Sequence, residues 1–213
     1  DTIATIYNRD IFDQAGIATI PKTWEEFLKV LPKLRQFGSG GQIARAAAAI
    51  GGSEKSVDAG VDLLSLLMIQ NGAQMNSAAK TEATFAGLSA SGLRAFDFYL
   101  QFANAASPYF TWTDAQANSI DAFAQGKAAV IFNYSSSLPR IKGLSPYLNV
   151  GVAPMFQVSA SGGEANYARY HGLAVARQSS VWRAAWDFII YATTQESAAR
   201  TYSNATGRLP ALR

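Results

Sequence analysis

The sequence predicts an α/β fold, in which helices alternate with short buried strands. Apolar residues recur at helical spacing in several segments, among them residues 24–34 and 181–190. Short, dense apolar runs of the kind found in buried strands lie at residues 128–132, 148–152 and 172–176. The chain has 213 residues, of which 49% are hydrophobic, so it can bury a sizeable core.

Local signals predict the first elements. Residues 1–7 alternate polar and apolar side chains and are rich in β-branched types, which indicates a strand. A turn is expected at Ala15-Gly16. Thr23 and Glu26 have the spacing of a capping box, so a helix should begin between them. Pro32 lies inside that helix and should kink it or end it, because proline cannot donate the backbone hydrogen bond.

The middle of the chain predicts three further helices. Two are long, at residues 57–70 and around residue 96, and a shorter one at 119–125 should end at Gly126. The residues expected to face the core are Val61, Leu64, Leu67 and Met68 in the first helix and Leu93, Phe96, Leu100 and Ala103 in the second. Residues 42–50 are rich in alanine and fit either a strand or a helix.

The last part of the chain predicts a strongly amphipathic helix and then a more polar one, at residues 195–204. The apolar face of the first consists of Trp182, Ala185, Trp186, Ile189 and Ile190. A face of this size needs a partner, and no other segment of the sequence is obviously suited to cover it.

Composition excludes several function classes. The sequence has no cysteine, which excludes disulfides, thiolate nucleophiles and cysteine-based metal sites. Its one histidine, His171, belongs to no zinc-binding motif, and there is no nucleophile elbow. The net charge of +3 is scattered and forms no nucleic-acid-binding pattern. A pair of carboxylates for glycoside hydrolysis stays open, because only their separation in space decides that chemistry.

Two adjacent segments carry a family resemblance: Tyr7-Asn-Arg-Asp-Ile-Phe-Asp-Gln-Ala-Gly16 and then Pro21-Lys-Thr-Trp-Glu-Glu-Phe27. Together they resemble the family 1 extracellular solute-binding proteins of ABC importers, the maltose-binding type. Later segments follow in the family's order. Residues 122–132 resemble its run of phenylalanine, glycine and lysine before an apolar strand, and residues 172–176 resemble its second crossover strand.

The resemblance implies a type II periplasmic-binding-protein-like fold, truncated at both ends, with mainly the second lobe present. Residues 1–7 would be the hinge crossover strand, 8–168 the second lobe, and 169–213 a crossover strand and helices that return to the first lobe. A missing first-lobe segment or a neighbouring chain would then cover the face of Trp182 and Trp186.

The resemblance also implies the function. The protein would bind a small sugar or related polar solute in a cleft between two lobes and deliver it to the permease subunits, with no catalysis, cofactor or metal. It would act outside the cell or in the periplasm, anchored to the membrane by a segment that is not in this chain. A carbohydrate-active enzyme and a binding protein for a small anion such as a polyol phosphate, which Arg169 would favour, are the alternatives.

The positions that match the family's cleft are the candidate site residues: Asn133, Tyr134, Ser135, Ser53, Glu54, Tyr170, His171 and Gly172. The family often has a tryptophan shortly after the position of Asn133, whereas here Tyr134 is followed by three serines. This difference favours a mono- or disaccharide over a large oligosaccharide. We expect Tyr134 at a partly open cleft, with the competing hypothesis that it only caps the core.

Overall fold

The computed structural model describes residues 1–87, 91–159 and 163–207. The chain divides into two compact units. The larger unit comprises Thr2–Tyr167, and the smaller one comprises Asp1 and Ala168–Arg213.

The elements of the larger unit confirm most of the predicted ones. Its described strands are β1 (Ile3–Asn8), β2 (Gln36–Phe37), β3 (Ile43–Arg45), β4 (Val130–Tyr134) and β5 (Val150–Ala153). Its described helices are α1 (Arg9–Gln14), α2 (Trp24–Leu34), α3 (Gly60–Gln70), α4 (Ser91–Gln101), α5 (Ser119–Ala124) and α6 (Leu138–Leu144). The predicted α/β fold is therefore confirmed.

An antiparallel sheet of order β4-β1-β5 forms the centre of the larger unit. Ile3 lies opposite Tyr134, and Asn8 lies opposite Val150. The alanine-rich segment after β3 runs beside β4 without forming a regular strand: the amide of Ala49 donates to the carbonyl of Val130, at 3.0 Å. Of the two structures predicted for residues 42–50, strand or helix, the strand is correct, but it ends at Arg45.

The start of α2 confirms the capping box with one difference. The hydroxyl of Thr23 accepts a hydrogen bond from the amide of Glu26 at 3.2 Å. The carboxylate of Glu26 accepts from the amide of Lys22, at 2.7 Å, one residue earlier than in the standard box. The helix does not end at Pro32; α2 continues for two more residues and ends at Leu34.

Two apolar clusters pack on opposite faces of the sheet. On one face, Phe27 stacks on Phe156 with ring centroids 5.1 Å apart, and Trp24 lies 5.3 Å from both Phe132 and Phe156. On the other, Ile131 belongs to a cluster around Trp112. Phe132 and Ile131 face opposite clusters because consecutive side chains on a strand point to opposite sides.

The predicted core faces of α3 and α4 are partly wrong. Val61 is exposed, and Leu93, Phe96 and Leu100 are between 40% and 49% exposed. The buried face of α4 contains Gly92, Ala95 and Tyr99 instead. A side chain at Gly92 would meet the carbonyl of Phe85, so the small residues permit close packing that large apolar side chains would prevent.

The smaller unit contains α7 (Trp182–Thr194) and α8 (Glu196–Thr206), as predicted. The predicted strand at residues 172–176 is wrong, since these residues form no regular element. A strand needs a neighbour for its backbone hydrogen bonds, and the described part of this unit offers none. Trp182 and Trp186 are 51% and 46% exposed.

The aromatic cluster predicts a large effect of a single truncation. In the intact protein, Phe27→Ala should lower the free energy of unfolding by about 3–5 kcal/mol, because it removes a fully buried ring and leaves a cavity. Urea denaturation measures the change. The control is Tyr147→Ala, whose side chain is almost fully exposed and should contribute less than about 0.5 kcal/mol. Equal effects of the two variants would contradict this description of the core.

Candidate functional site

The end of β4 is the candidate functional site of the larger unit. Asn133 and Tyr134 are its last two residues, and both side chains are buried. The side-chain amide of Asn133 donates to Asp58 at 3.0 Å, and its carbonyl oxygen accepts from the amide of Tyr134 at 2.7 Å. The hydroxyl of Tyr134 donates to Asp62 at 2.7 Å. Two predicted site residues are therefore tied to two carboxylates at the start of α3.

The burial of Tyr134 corrects one expectation. Its side chain is only 5% exposed, and its ring belongs to the apolar cluster that contains Phe132. The ring therefore does not line a partly open surface of this unit. The structural hypothesis for Tyr134 is the better one, with its hydroxyl group fixing Asp62.

Asp58 and Asp62 are the residues that sequence reasoning missed. Asp58 is exposed and lies just before α3, and its amide donates to the hydroxyl of Ser119 at 3.1 Å. Asp62 is buried in the first turn of that helix. Acidic residues are common at helix starts for electrostatic reasons, so their positions alone did not indicate a site.

Ser53 and Glu54 lie on the loop that leads to Asp58. The amide and the hydroxyl of Ser53 both donate to Asp114, at 2.8 and 2.7 Å. The hydroxyl of Ser56 donates to the same carboxylate at 2.6 Å. These hydrogen bonds from Ser56 and Ser53 lower the pKa of Asp114 below its ordinary value, because they stabilise the charged form. Asp114 therefore fixes the loop, while Glu54 is exposed to solvent.

Ser135 begins a short 3-10 turn, Ser135–Ser137, directly after β4. It is half-buried, and the turn is held by a hydrogen bond from the hydroxyl of Ser137 to the carbonyl of Tyr134, at 2.8 Å. The hydroxyl groups after β4 are thus kept close to the strand end. Tyr170, His171 and Gly172 belong to the smaller unit, where all three are exposed.

The chemistry available at the end of β4 is hydrogen bonding. Carboxylate oxygens accept hydrogen bonds, and the serine hydroxyl groups both donate and accept. Among the described residues, no three His, Cys, Asp or Glu side chains are grouped as metal ligands would be. Such a set of acceptors suits a ligand that presents several hydroxyl groups.

A surface cavity of about 280 Å³ lies elsewhere, at the opposite end of β1. Its lining residues are Tyr7, Arg9, Phe12, Asp13, Ile17, Ala18, Ile20 and Asn149. None of these is a predicted site residue. The cavity is thus separate from the end of β4.

A sequence model of the bacterial extracellular solute-binding proteins matches residues 1–213. The chain belongs to this family. The match confirms the predicted family, whose members are extracellular solute-binding proteins. None of the helices among the described residues has the length and apolarity to cross a membrane. No curated protein matches the chain.

Several solved structures share the fold. UgpB from Mycobacterium tuberculosis, in complex with glycerophosphocholine, has a TM-score of 0.72 at 21% identity, over 98% of this chain and 49% of its own. The substrate-binding protein Lmo0181 from Listeria monocytogenes, bound to cycloalternan, has a TM-score of 0.68 at 20% identity, over 99% and 50%. MalE from Bdellovibrio bacteriovorus, bound to maltotriose, has a TM-score of 0.66 at 16% identity, over 98% and 51%. The chain therefore spans about half the length of these proteins.

The role of Asp114 predicts a pH dependence. Its pKa is lower in the folded protein than in the unfolded chain, so its stabilising contribution is present above about pH 4 and is lost as the pH falls further. Asp114→Asn should lower the free energy of unfolding at pH 7 by about 0.5–1.5 kcal/mol, since the loop loses charge-assisted hydrogen bonds. Urea denaturation at pH 7 and pH 3 measures this. A difference between variant and parent that is as large at pH 3 as at pH 7 would contradict the assignment.

Proposed function

We propose that the intact protein is the substrate-binding component of an ABC importer and that it binds a small neutral sugar, a mono- or disaccharide, at the end of β4. The observation that carries this proposal is the pair of carboxylates, Asp58 and Asp62, that Asn133 and Tyr134 hold at that strand end. Sugar hydroxyl groups are hydrogen-bond donors, and exposed carboxylate oxygens such as those of Asp58 are strong acceptors for them.

The same carboxylates disfavour an anionic ligand. A phosphate group beside Asp58 would be repelled, and Lys55, the one lysine of the loop 53–62, interacts with the carboxylate of Asp114. UgpB, a protein with this fold, is seen with glycerophosphocholine, so polyol phosphates belong in the test. Arg169, which the sequence suggested for an anion, lies in the smaller unit.

The lobe assignment remains our proposal. Residues 8–168 would form the second lobe, residues 1–7 the hinge strand, and residues 169–213 the return to the first lobe. The ligand would then contact Ser53, Glu54 and Ser135 on one side, and Tyr170, His171 and Gly172 on the other. To this set we add Asp58 as a direct contact, and we interpret Asn133 and Tyr134 as the residues that hold the two carboxylates.

The ABC permease is the proposed macromolecular partner, because members of this family hand their solutes to such transporters. Anchoring to the membrane through a segment outside this chain stays a prediction. The apolar face of α7 would pack against residues outside this chain, either a first-lobe segment or a neighbouring chain, since Trp182 and Trp186 are half exposed.

A ligand screen with matched variants tests the site. Neutral mono- and disaccharides should raise the Tm of the intact protein, because a ligand that binds only the folded state stabilises it. Polyol phosphates should not. Asp58→Asn should weaken sugar binding by about tenfold or more in calorimetry, as expected when a charged hydrogen-bond acceptor is lost. The control is Asp97→Asn, another exposed carboxylate, on α4, which should leave the affinity unchanged.

Two results would contradict the proposal. If a polyol phosphate raises the Tm and no sugar does, the anionic alternative is correct. If a sugar binds but Asp58→Asn and Asp97→Asn behave alike, the ligand does not contact the end of β4.

A second variant tests the covered face of α7. In the intact protein, Trp186→Lys should lower the free energy of unfolding by about 3 kcal/mol or more, because a lysine would replace a buried ring at a packed interface. Tyr147→Lys, at an exposed position, is the control and should change stability by less than about 0.5 kcal/mol. Equally small effects in urea denaturation would mean that the face stays in solvent.

A further inference from the structure

The cavity at the far end of β1, here called the Tyr7 cavity, combines an apolar wall with polar groups of opposite charge. Phe12 and Ile17 are buried residues of the core and form the apolar part of its lining. Arg9 and Asp13 supply a cation and an anion to the same lining. The cavity has a volume of about 280 Å³, and its lining combines these apolar side chains with polar and charged groups that converge on one place, as in small-ligand sites.

Arg9 and Asp13 lie one turn apart on α1, with about 5–6 Å between their Cβ atoms expected at this spacing. Within the described parts of the chain, neither side chain has an ion-pair or hydrogen-bond partner. Two other pairs at the same spacing do bond, Glu25 with Lys29 at 2.7 Å and Glu196 with Arg200 at 2.6 Å.

The order of the charges explains the difference. In both bonded pairs the acid precedes the base, which is the favourable order along a helix, whereas Arg9 precedes Asp13. Both charges on α1 therefore stay available to a third group.

Tyr7 holds a further polar group at the same place. Its ring packs against Phe12 with centroids 5.1 Å apart and lies over Gly151, where any Cβ atom would come within 2.1 Å of the ring. The ring is thus fixed, and only glycine fits beneath it. The phenol group lines the cavity and has no hydrogen-bond partner among the described residues.

The loop that closes the cavity is also fixed. The carbonyl of Asn149 accepts from the amide of Arg9 at 2.9 Å. The side-chain amide of Asn149 donates to Asp10, also at 2.9 Å. These two hydrogen bonds fix Asn149 against the start of α1.

We propose that the Tyr7 cavity binds a small zwitterion of the α-amino-acid type with an aliphatic side chain. The guanidinium group of Arg9 would bind the ligand carboxylate, because its planar donors match a carboxylate. The carboxylate of Asp13 would bind the ammonium group, and the wall of Phe12 and Ile17 would contact the side chain. The site is independent of the sugar site proposed above, since it lies at the other end of β1.

Titration of the intact protein with valine tests the proposal, with binding followed by the chemical shifts of backbone amides. Saturable shifts are expected at residues 7–20 and 149, and none at residues 53–62 or 133–135. The matched probes are 3-methylbutyrate, which lacks the amine, and isobutylamine, which lacks the carboxylate. Each should bind about tenfold more weakly than valine, because one of the two charge contacts is lost.

Two variants identify the contacts. Arg9→Gln should reduce valine binding about tenfold and abolish binding of 3-methylbutyrate. Asp13→Asn should reduce valine binding about tenfold and abolish binding of isobutylamine. Lys33→Gln and Asp97→Asn remove exposed charges elsewhere and should leave binding unchanged. The proposal is wrong if valine produces no saturable shifts near Tyr7, or if the variants of Arg9 and Asp13 bind it like the controls. Neither result bears on sugar binding, which is measured separately.

Discussion

The position of β1 in the middle of the sheet is the constraint on which the larger unit depends. One strand near the start of the chain pairs with β4 along one edge and with β5 along the other, so segments more than a hundred positions away are fixed against it. Such long-range pairing is entropically costly to form, and the two apolar clusters on the faces of the sheet compensate for it. Because Ile3 lies opposite Tyr134, the register of β1 also determines where β4 ends.

A few hydrogen bonds hold polar groups in place at the end of β4. Asn133 and Tyr134 are buried, and each donates a side-chain hydrogen bond to a carboxylate at the start of α3. The carboxylate of Asp114 accepts hydrogen bonds from Ser53 and Ser56 and so fixes the preceding loop. A buried polar group is costly without partners, so these residues fix one another in a single arrangement. The result is a rigid set of acceptors, which suits recognition of hydroxyl groups.

The sequence indicated much of this from local patterns. The first strand, the capping box at Thr23 and the helices α2 to α5, α7 and α8 followed from periodicity and end signals, whereas α1 and α6 were not predicted. The resemblance of residues 7–27 led to the family. The failures have physical causes. The face of α4 was misassigned because large apolar residues dominate the periodicity, whereas Gly92 and Ala95 make the close contact.

Partners that are distant in sequence could not be predicted. Asp58 lies 75 positions from Asn133, and Asp62 lies 72 positions from Tyr134, so only the fold brings them together. The prediction of a strand at residues 172–176 was wrong for a related reason. A strand requires a hydrogen-bonded neighbouring strand, and the local sequence does not show whether one is present.

The end of β4 is the proposed contact with a neutral sugar. Hydrogen–deuterium exchange of the intact protein, with and without the sugar that raises its Tm most, tests this directly. We expect slower exchange at residues 53–62 and 133–137 when the sugar is bound, and no change in the hairpin of β2 and β3. If the sugar slows exchange elsewhere but not at residues 53–62 and 133–137, the proposed contact is wrong.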